Sequence, residues 1–237
     1  IQKADPGETI IVAAGSYDEQ ITPAKNGKPD SLITFLADTA GQYFSGYVGH
    51  VTINGNLSND YGFNLTDRSY ISIIGFTFQY HRQQPIFINA QTSNITNINI
   101  QNCKFSYWGQ NTMADSSAIL IYSNSGYSIK NINIWKNNFN NISETKGSKT
   151  IHLTGDGGIN RNINIAKNIF SMNTFRNNEC VVINGNNAAI YITENQFYQA
   201  QKAIWYRLNA DSIFIINNFI YSTFPSSYGI VSDVNIP

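Results

Sequence analysis

Apolar and polar residues alternate in a phrase that recurs along the chain. It reads Tyr70-Ile-Ser-Ile-Ile-Gly-Phe-Thr-Phe78, Asn97-Ile-Asn-Ile-Gln-Asn-Cys-Lys-Phe105, Asn131-Ile-Asn-Ile-Trp-Lys-Asn-Asn-Phe139, Asn162-Ile-Asn-Ile-Ala-Lys-Asn-Ile-Phe170, Ala189-Ile-Tyr-Ile-Thr-Glu-Asn-Gln-Phe197 and Ser212-Ile-Phe-Ile-Ile-Asn-Asn-Phe219. Isoleucine falls at every second position with polar residues between, so each copy predicts a strand that buries one face. A second set of short alternating runs lies between the copies: Pro85–Asn89, Ala118–Tyr122, Thr150–Thr154, Cys180–Asn184, Ala203–Arg207 and Gly229–Asp233. No stretch has the spacing of an amphipathic helix, which removes folds that alternate strands with crossover helices. The closing phenylalanines are 27, 34, 31, 27 and 22 residues apart. Equivalent strands returning in the same order at a drifting period predict a solenoid with loop insertions, not a sandwich of tight hairpins.

An asparagine stands two places before the phenylalanine at Asn137, Asn168 and Asn195, and Phe219 sets the last of the series at Asn217. On strands stacked about 4.8 Å apart, such amides reach one another from coil to coil and satisfy the backbone of the turn. This resembles the asparagine ladder of right-handed parallel β-helix proteins of the pectate-lyase-like superfamily, with Asn102 one place out of register and Gly75 departing from it. The N-terminal third adds Ala4-Asp-Pro-Gly-Glu-Thr-Ile-Ile-Val12, Gly15-Ser-Tyr17, Glu19-Gln-Ile21 and Gly27-Lys-Pro-Asp-Ser-Leu-Ile-Thr-Phe35. These segments are similar to the first coils of secreted β-helix proteins related to polysaccharide lyase family 6, the alginate lyase and chondroitinase B relatives. Glu8 replaces the usual Asp of that phrase, and Ser31-Leu32 replaces the Pro before the strand. The resemblance covers about the first third of the chain and implies an all-β, right-handed parallel β-helix over residues 1–237, in an extracellular or cell-surface setting. Ile1-Gln-Lys-Ala4 looks like the last turn of a capping helix, and the chain stops at Ile236-Pro237 just after a strand. A solenoid end is an open edge, so a neighbouring domain or subunit is expected to cover it, as part of a longer chain or an assembly.

Composition narrows the partners. Fifteen Lys and Arg balance fifteen Asp and Glu, which excludes the basic excess that nucleic-acid phosphates require. No apolar run is long enough to span a bilayer. If the isoleucines of the second strand set point inward, their neighbours form two outward columns: Phe87, Leu120, His152, Val182, Trp205, Val231, and Asn89, Tyr122, Thr154, Asn184, Arg207, Asp233. Rings beside directional hydrogen-bonding groups suit sugars, which makes Phe87, Tyr122, Trp205, Asn184 and Asn89 the expected polysaccharide-binding residues. An inserted loop packed over the apolar members is the competing expectation.

Lyase chemistry on a uronic acid needs a base for the proton α to the carboxylate and a cation, or Ca²⁺, to neutralise that carboxylate. His152, Arg207 and Lys202 are the candidates for those roles, without a complete catalytic motif around them. Hydrolysis would need paired carboxyls, and the isolated Asp156 of Gly155-Asp-Gly-Gly158 reads as a turn. No cofactor is implied and no cluster of acids marks a Ca²⁺ site. His50, His81 and His152 have no metal-ligand spacing, and His81-Arg82 reads as a solvated turn. Cys103 and Cys180 are expected to be buried free thiols. Two functions fit these residues, a polysaccharide-binding or lyase-like protein and a non-catalytic structural module of a surface, adhesin or filament.

Overall fold

A computed structural model describes residues 4–109, 116–141, 149–172, 179–207 and 210–233. The chain forms a right-handed parallel β-helix whose coils each feed three sheets. The first sheet stacks the strands Thr9–Ala13, Ile33–Asp38, Ile71–Ile74, Ile95–Gln101, Ser128–Trp135, Ile159–Ala166, Asn187–Thr193 and Ala210–Ile216. The second stacks Gly15–Tyr17, Val51–Asn54, Thr77–Gln79, Lys104–Ser106, Asn138–Asn141, Ile169–Met172, Gln196–Tyr198 and Phe219–Tyr221. The third stacks Tyr61–Asn64, Gln84–Ala90, Ser117–Asn124, Lys149–Asp156, Glu179–Ile183, Lys202–Arg207 and Tyr228–Asp233. Every pairing within these sheets is parallel. The phenylalanine that closes each phrase therefore belongs to a strand of its own.

The alternation seen in the sequence decides the core. Ile98, Ile100, Ile132, Ile134, Ile163, Ile165, Ile190 and Ile192 all point inward and are buried. Phe78, Phe105, Phe139, Phe170 and Phe197 form one stack through the axis, with neighbouring ring centroids 4.6–5.0 Å apart. Stacked rings of this kind add about 0.5–1.5 kcal/mol per pair to the burial of their surface.

The corner between the first and second sheets is only two residues long in most coils, and it is built the same way each time. The residue before the ladder position has a left-handed backbone: Gly75 (φ 81°), Asn102 (55°), Lys136 (56°), Lys167 (57°), Glu194 (55°) and Asn217 (55°). A side chain there costs about 1–2 kcal/mol, which the ladder offsets. Asn168 Oδ1 accepts the Asn137 N–H at 2.9 Å and Asn137 Nδ2 at 3.1 Å, while Asn168 Nδ2 donates to Ile134 O at 2.9 Å and to Asn195 Oδ1 at 3.0 Å. At the N-terminal end of the series Asn137 Oδ1 accepts the Cys103 N–H, at 2.9 Å.

The last rung corrects the sequence reading. Phe197 pairs with Ile220, not Phe219, so the ladder position falls on Asn218, whose Oδ1 accepts the Asn195 N–H and Nδ2 at 2.9 Å. Asn217 takes the left-handed position before it. Counting back from Phe219 failed because isoleucine replaces phenylalanine in this copy.

His81 is a second correction. It is fully buried beside Phe78, with Nε2 donating to Ile53 O at 3.1 Å and Nδ1 unpartnered. Desolvation lowers its pKa to about 4 against a raising contribution from the Ile53 carbonyl. Only Arg82 faces solvent, where it grips Asp60 through two hydrogen bonds of 2.6 and 3.1 Å. Both cysteines are buried and free, as expected, and burial pushes the Cys103 thiol up to about 12. The expectations for residues 1–3 and for Ile236-Pro237 concern positions outside the described residues.

Candidate functional site

The parallel register of the third sheet aligns its outward side chains into the two columns read from the sequence. Phe87, Leu120, His152, Val182, Trp205 and Val231 are successive partners. Asn89, Tyr122 and Thr154 are likewise aligned, Asn184 follows the paired Ile183, and Arg207 pairs with Asp233. Their access to solvent differs sharply. In the first column Leu120 is 8% exposed, His152 3%, Val182 0% and Trp205 8%, so this strip is covered. Burial here is favourable, since it removes leucine, valine and indole from water. Phe87 stays half-buried and stacks on Tyr61 at 5.0 Å. In the second column Asn89, Tyr122, Thr154 and Asn184 are half-buried, and Arg207 and Asp233 are exposed.

Lys202 and Arg207 do meet, and they meet at Trp205. The Lys202 ammonium lies 3.4 Å and the Arg207 guanidinium 3.6 Å from the ring centroid. The indole N–H donates to Asp233 Oδ2 at 2.9 Å, Arg207 Nε lies 3.4 Å from the same oxygen, and Lys202 Nζ donates to Glu179 Oε1 at 3.1 Å. The ring is therefore engaged by its own fold and presents no open stacking face. His152 sits two rungs away, about 10 Å along the axis, where its Nε2 accepts from Asn184 Nδ2 at 3.1 Å. A base and a cation that act on one sugar must lie within hydrogen-bond reach of it. The three candidate catalytic residues are not brought to a common point.

What the second column offers is hydrogen bonding. Asn89 Oδ1 and Asn184 Oδ1 are enclosed and have no partner among the described residues. They stand three rungs apart, about 14 Å, with the hydroxyls of Tyr122 and Thr154 on the rungs between. An enclosed acceptor left without a donor costs about 1–3 kcal/mol, so each calls for a donor, a water or a bound group, that the described residues do not supply.

Among the described residues, no group of three or more His, Cys, Asp or Glu is placed to hold a metal ion, and no helix is long and apolar enough to cross a membrane. Asp156 ends its strand exposed, just before the left-handed Gly157 (φ 76°). At Gly158 a Cβ would come within 2.4 Å of Asn124 O, so only glycine lets the chain turn there into the first sheet. Sequence reading missed Glu179 and the whole strand Tyr61–Asn64, which carries the face one coil further and includes the Tyr61 that stacks on Phe87. The alternation of Tyr61 and Phe63 was the available signal.

No family model, curated protein or solved structure matches this chain. The likeness to polysaccharide lyase family 6 thus stands on the N-terminal residues alone, and the β-helix stands on the structure.

Proposed function

We propose that this is an extracellular or cell-surface β-helix protein that binds a polysaccharide along the second outward column of the third sheet. The observation that carries the reading is the pair of enclosed, unpartnered acceptors at Asn89 and Asn184. Sugar hydroxyls are donors of the right kind, and Tyr122 between them adds a ring and a hydroxyl. The column runs along the solenoid axis, so an extended polymer can engage several rungs at once. Binding without cleavage is favoured because His152, Lys202 and Arg207 are already held by Asn184, Glu179 and Asp233.

The test is retention of the chain on alginate, chondroitin, pectate and neutral glycans, with and without Ca²⁺, while ultraviolet absorbance reports unsaturated products. Retention on at least one polymer without new absorbance is the expected result. New absorbance would instead assign a lyase-like elimination, and retention on none would contradict the reading.

The last coil favours a second reading, a structural module of an assembly. Phe214, Ile216, Phe219, Tyr221 and Tyr228 are exposed on its outer flanks, at positions where the preceding coil carries Tyr191, Thr193, Gln196, Tyr198 and Lys202. Apolar flanks on all three sheets suit a covering partner. Concentration-dependent association in light scattering, with no retention on any glycan, would favour that reading.

A further inference from the structure

On the outer face of the first sheet two cations stand directly opposite each other. Lys130 pairs with Arg161 on the next rung, about 4.8 Å away, and both side chains are exposed. Neither has an ion-pair or hydrogen-bond partner among the described residues. Their column continues with Thr96 on one side and with Ala188 and Asp211 on the other. Its carboxylate, Asp211, is therefore two rungs from Arg161, about 10 Å, and accepts from Ser212 Oγ at 3.0 Å. Like charges at opposed strand positions destabilise a sheet, so the pair weakens the bare fold and an anion held between the two would reverse that.

A cleft of about 300 Å³ opens at this pair, where the chain turns from the third sheet into the first, and Ser128, Ile159 and Arg161 line it. Ser128 stands opposite Ile159 as Lys130 stands opposite Arg161. Three corners of one outward-facing rectangle thus belong to the cleft and Lys130 is the fourth, about 6.6 Å along its strand from Ser128. The turn is pinned by Tyr127 N–H donating to Asn124 O at 3.0 Å and Ile159 N–H donating to Tyr127 O at 3.1 Å. Asn94 Oδ1 accepts the Ser128 N–H at 2.8 Å and Ser128 Oγ at 3.1 Å. That holds the Asn94 side chain at the cleft, with its Nδ2 lacking an acceptor among the described residues. The lining therefore offers a guanidinium, an amide N–H and the Tyr127 hydroxyl, and it contains no Asp or Glu. Asp156, one residue before the turn glycine Gly157, lies outside the lining and forms no ion pair among the described residues.

We infer that Lys130, Arg161 and the adjoining cleft form a site for a phosphate group, free or as the monoester of a small polar molecule. A phosphate monoester carries about 1.5 to 2 negative charges and three acceptor oxygens, which matches two cations and an amide donor. The planar Arg161 fork can hold two of those oxygens side by side, and Lys130 adds a point charge. The cleft is at the lower end of the size range of small-molecule sites, so it has room beside the phosphate for a small organic part against Tyr127 and Ile159. No residue of this site belongs to the third-sheet face, so the two assignments fail independently.

The experiment is a calorimetric titration of the whole 237-residue chain with inorganic phosphate, with glucose 6-phosphate and, as the neutral probe, with glucose. It is repeated on Arg161→Gln, Lys130→Gln and Arg161→Lys, and on Lys104→Gln, which removes a cation from the second sheet instead. The wild-type chain should bind a phosphate compound at millimolar concentration or below and leave glucose unbound. Arg161→Gln and Lys130→Gln should each weaken that binding about tenfold or more. Arg161→Lys keeps the charge and loses the fork, so it should weaken binding by less, and Lys104→Gln should not weaken it. Without ligand, the unfolding midpoints of Arg161→Gln and Lys130→Gln should equal or exceed the wild-type value, because the opposed charges are gone.

Tighter binding of glucose 6-phosphate than of inorganic phosphate would assign the ester as the ligand, and the reverse would assign the free ion. Absence of binding of both phosphate compounds at millimolar concentration overturns the site, as does wild-type affinity in Arg161→Gln. Equal weakening in Lys104→Gln would also overturn it, by showing a response to net charge in place of a local site. So would glucose binding as tightly as its phosphate.

Discussion

The corner between the first and second sheets and the outward face of the third sheet belong to the same coils but obey different rules. At the corner, the coils closed by Phe139, Phe170 and Phe197 repeat one solution: a left-handed residue, a ladder asparagine and an inward phenylalanine. All four hydrogen bonds of the Asn168 amide end on other parts of the fold. On the third-sheet face no residue repeats from rung to rung, and two amide oxygens lack donors. Repetition with a fully satisfied amide marks what holds the corner together, and variation with two unmet amide oxygens is what the proposed binding face rests on.

Mutations at the corner should be the most costly. Phe170→Ala opens a void in the middle of the ring stack and should lower stability by about 3–5 kcal/mol, read from denaturant unfolding. A loss under 1 kcal/mol would show that the stack relaxes around the hole and is not a framework element. Asn168→Ala strands the Asn137 N–H and the Ile134 carbonyl in a buried corner and should cost about 3 kcal/mol. Here the sharper comparison is with Asn218→Ala at the last rung, whose amide is partly exposed, and which should cost clearly less.

Acid probes the framework without touching the face. His81 is neutral in the fold with a pKa near 4, while in the unfolded chain it takes up a proton near pH 6.5. The unfolded state thus binds more protons between those values, and stability present above pH 6.5 is lost as pH falls toward 4. From this group alone the loss at pH 5 relative to pH 7.5 is about 2 kcal/mol. His81→Gln should remove most of that slope, and an unchanged slope would place its origin in other groups.

Much of the framework was legible in the sequence because it repeats. Period-2 isoleucines gave the strands, their return in fixed order gave the solenoid, and Asn137, Asn168 and Asn195 marked the corner. The misplacement of Asn217 arose where the repeat weakens, at a copy closed by Ile220 in place of phenylalanine. His81 was misread for a related reason: its burial depends on Ile53 and Phe78, which no local pattern links to it. The face was legible as two columns but not in its accessibility. Alternation shows which side chains point outward, and it does not show that Leu120, His152, Val182 and Trp205 are covered. Nor does it reveal that the charges of Lys202 and Arg207 are spent on Glu179, Asp233 and the Trp205 ring.

The most direct test of this division is the variant Asn89→Leu, measured for both unfolding midpoint and retention on the polysaccharide that holds the wild-type chain best. Replacing an amide whose enclosed oxygen has no partner by a similarly sized apolar group should leave stability unchanged or raise it by up to about 1 kcal/mol, while retention falls. A variant that loses stability and keeps its retention would show that Asn89 serves the fold, and would contradict the assignment of this face to polysaccharide.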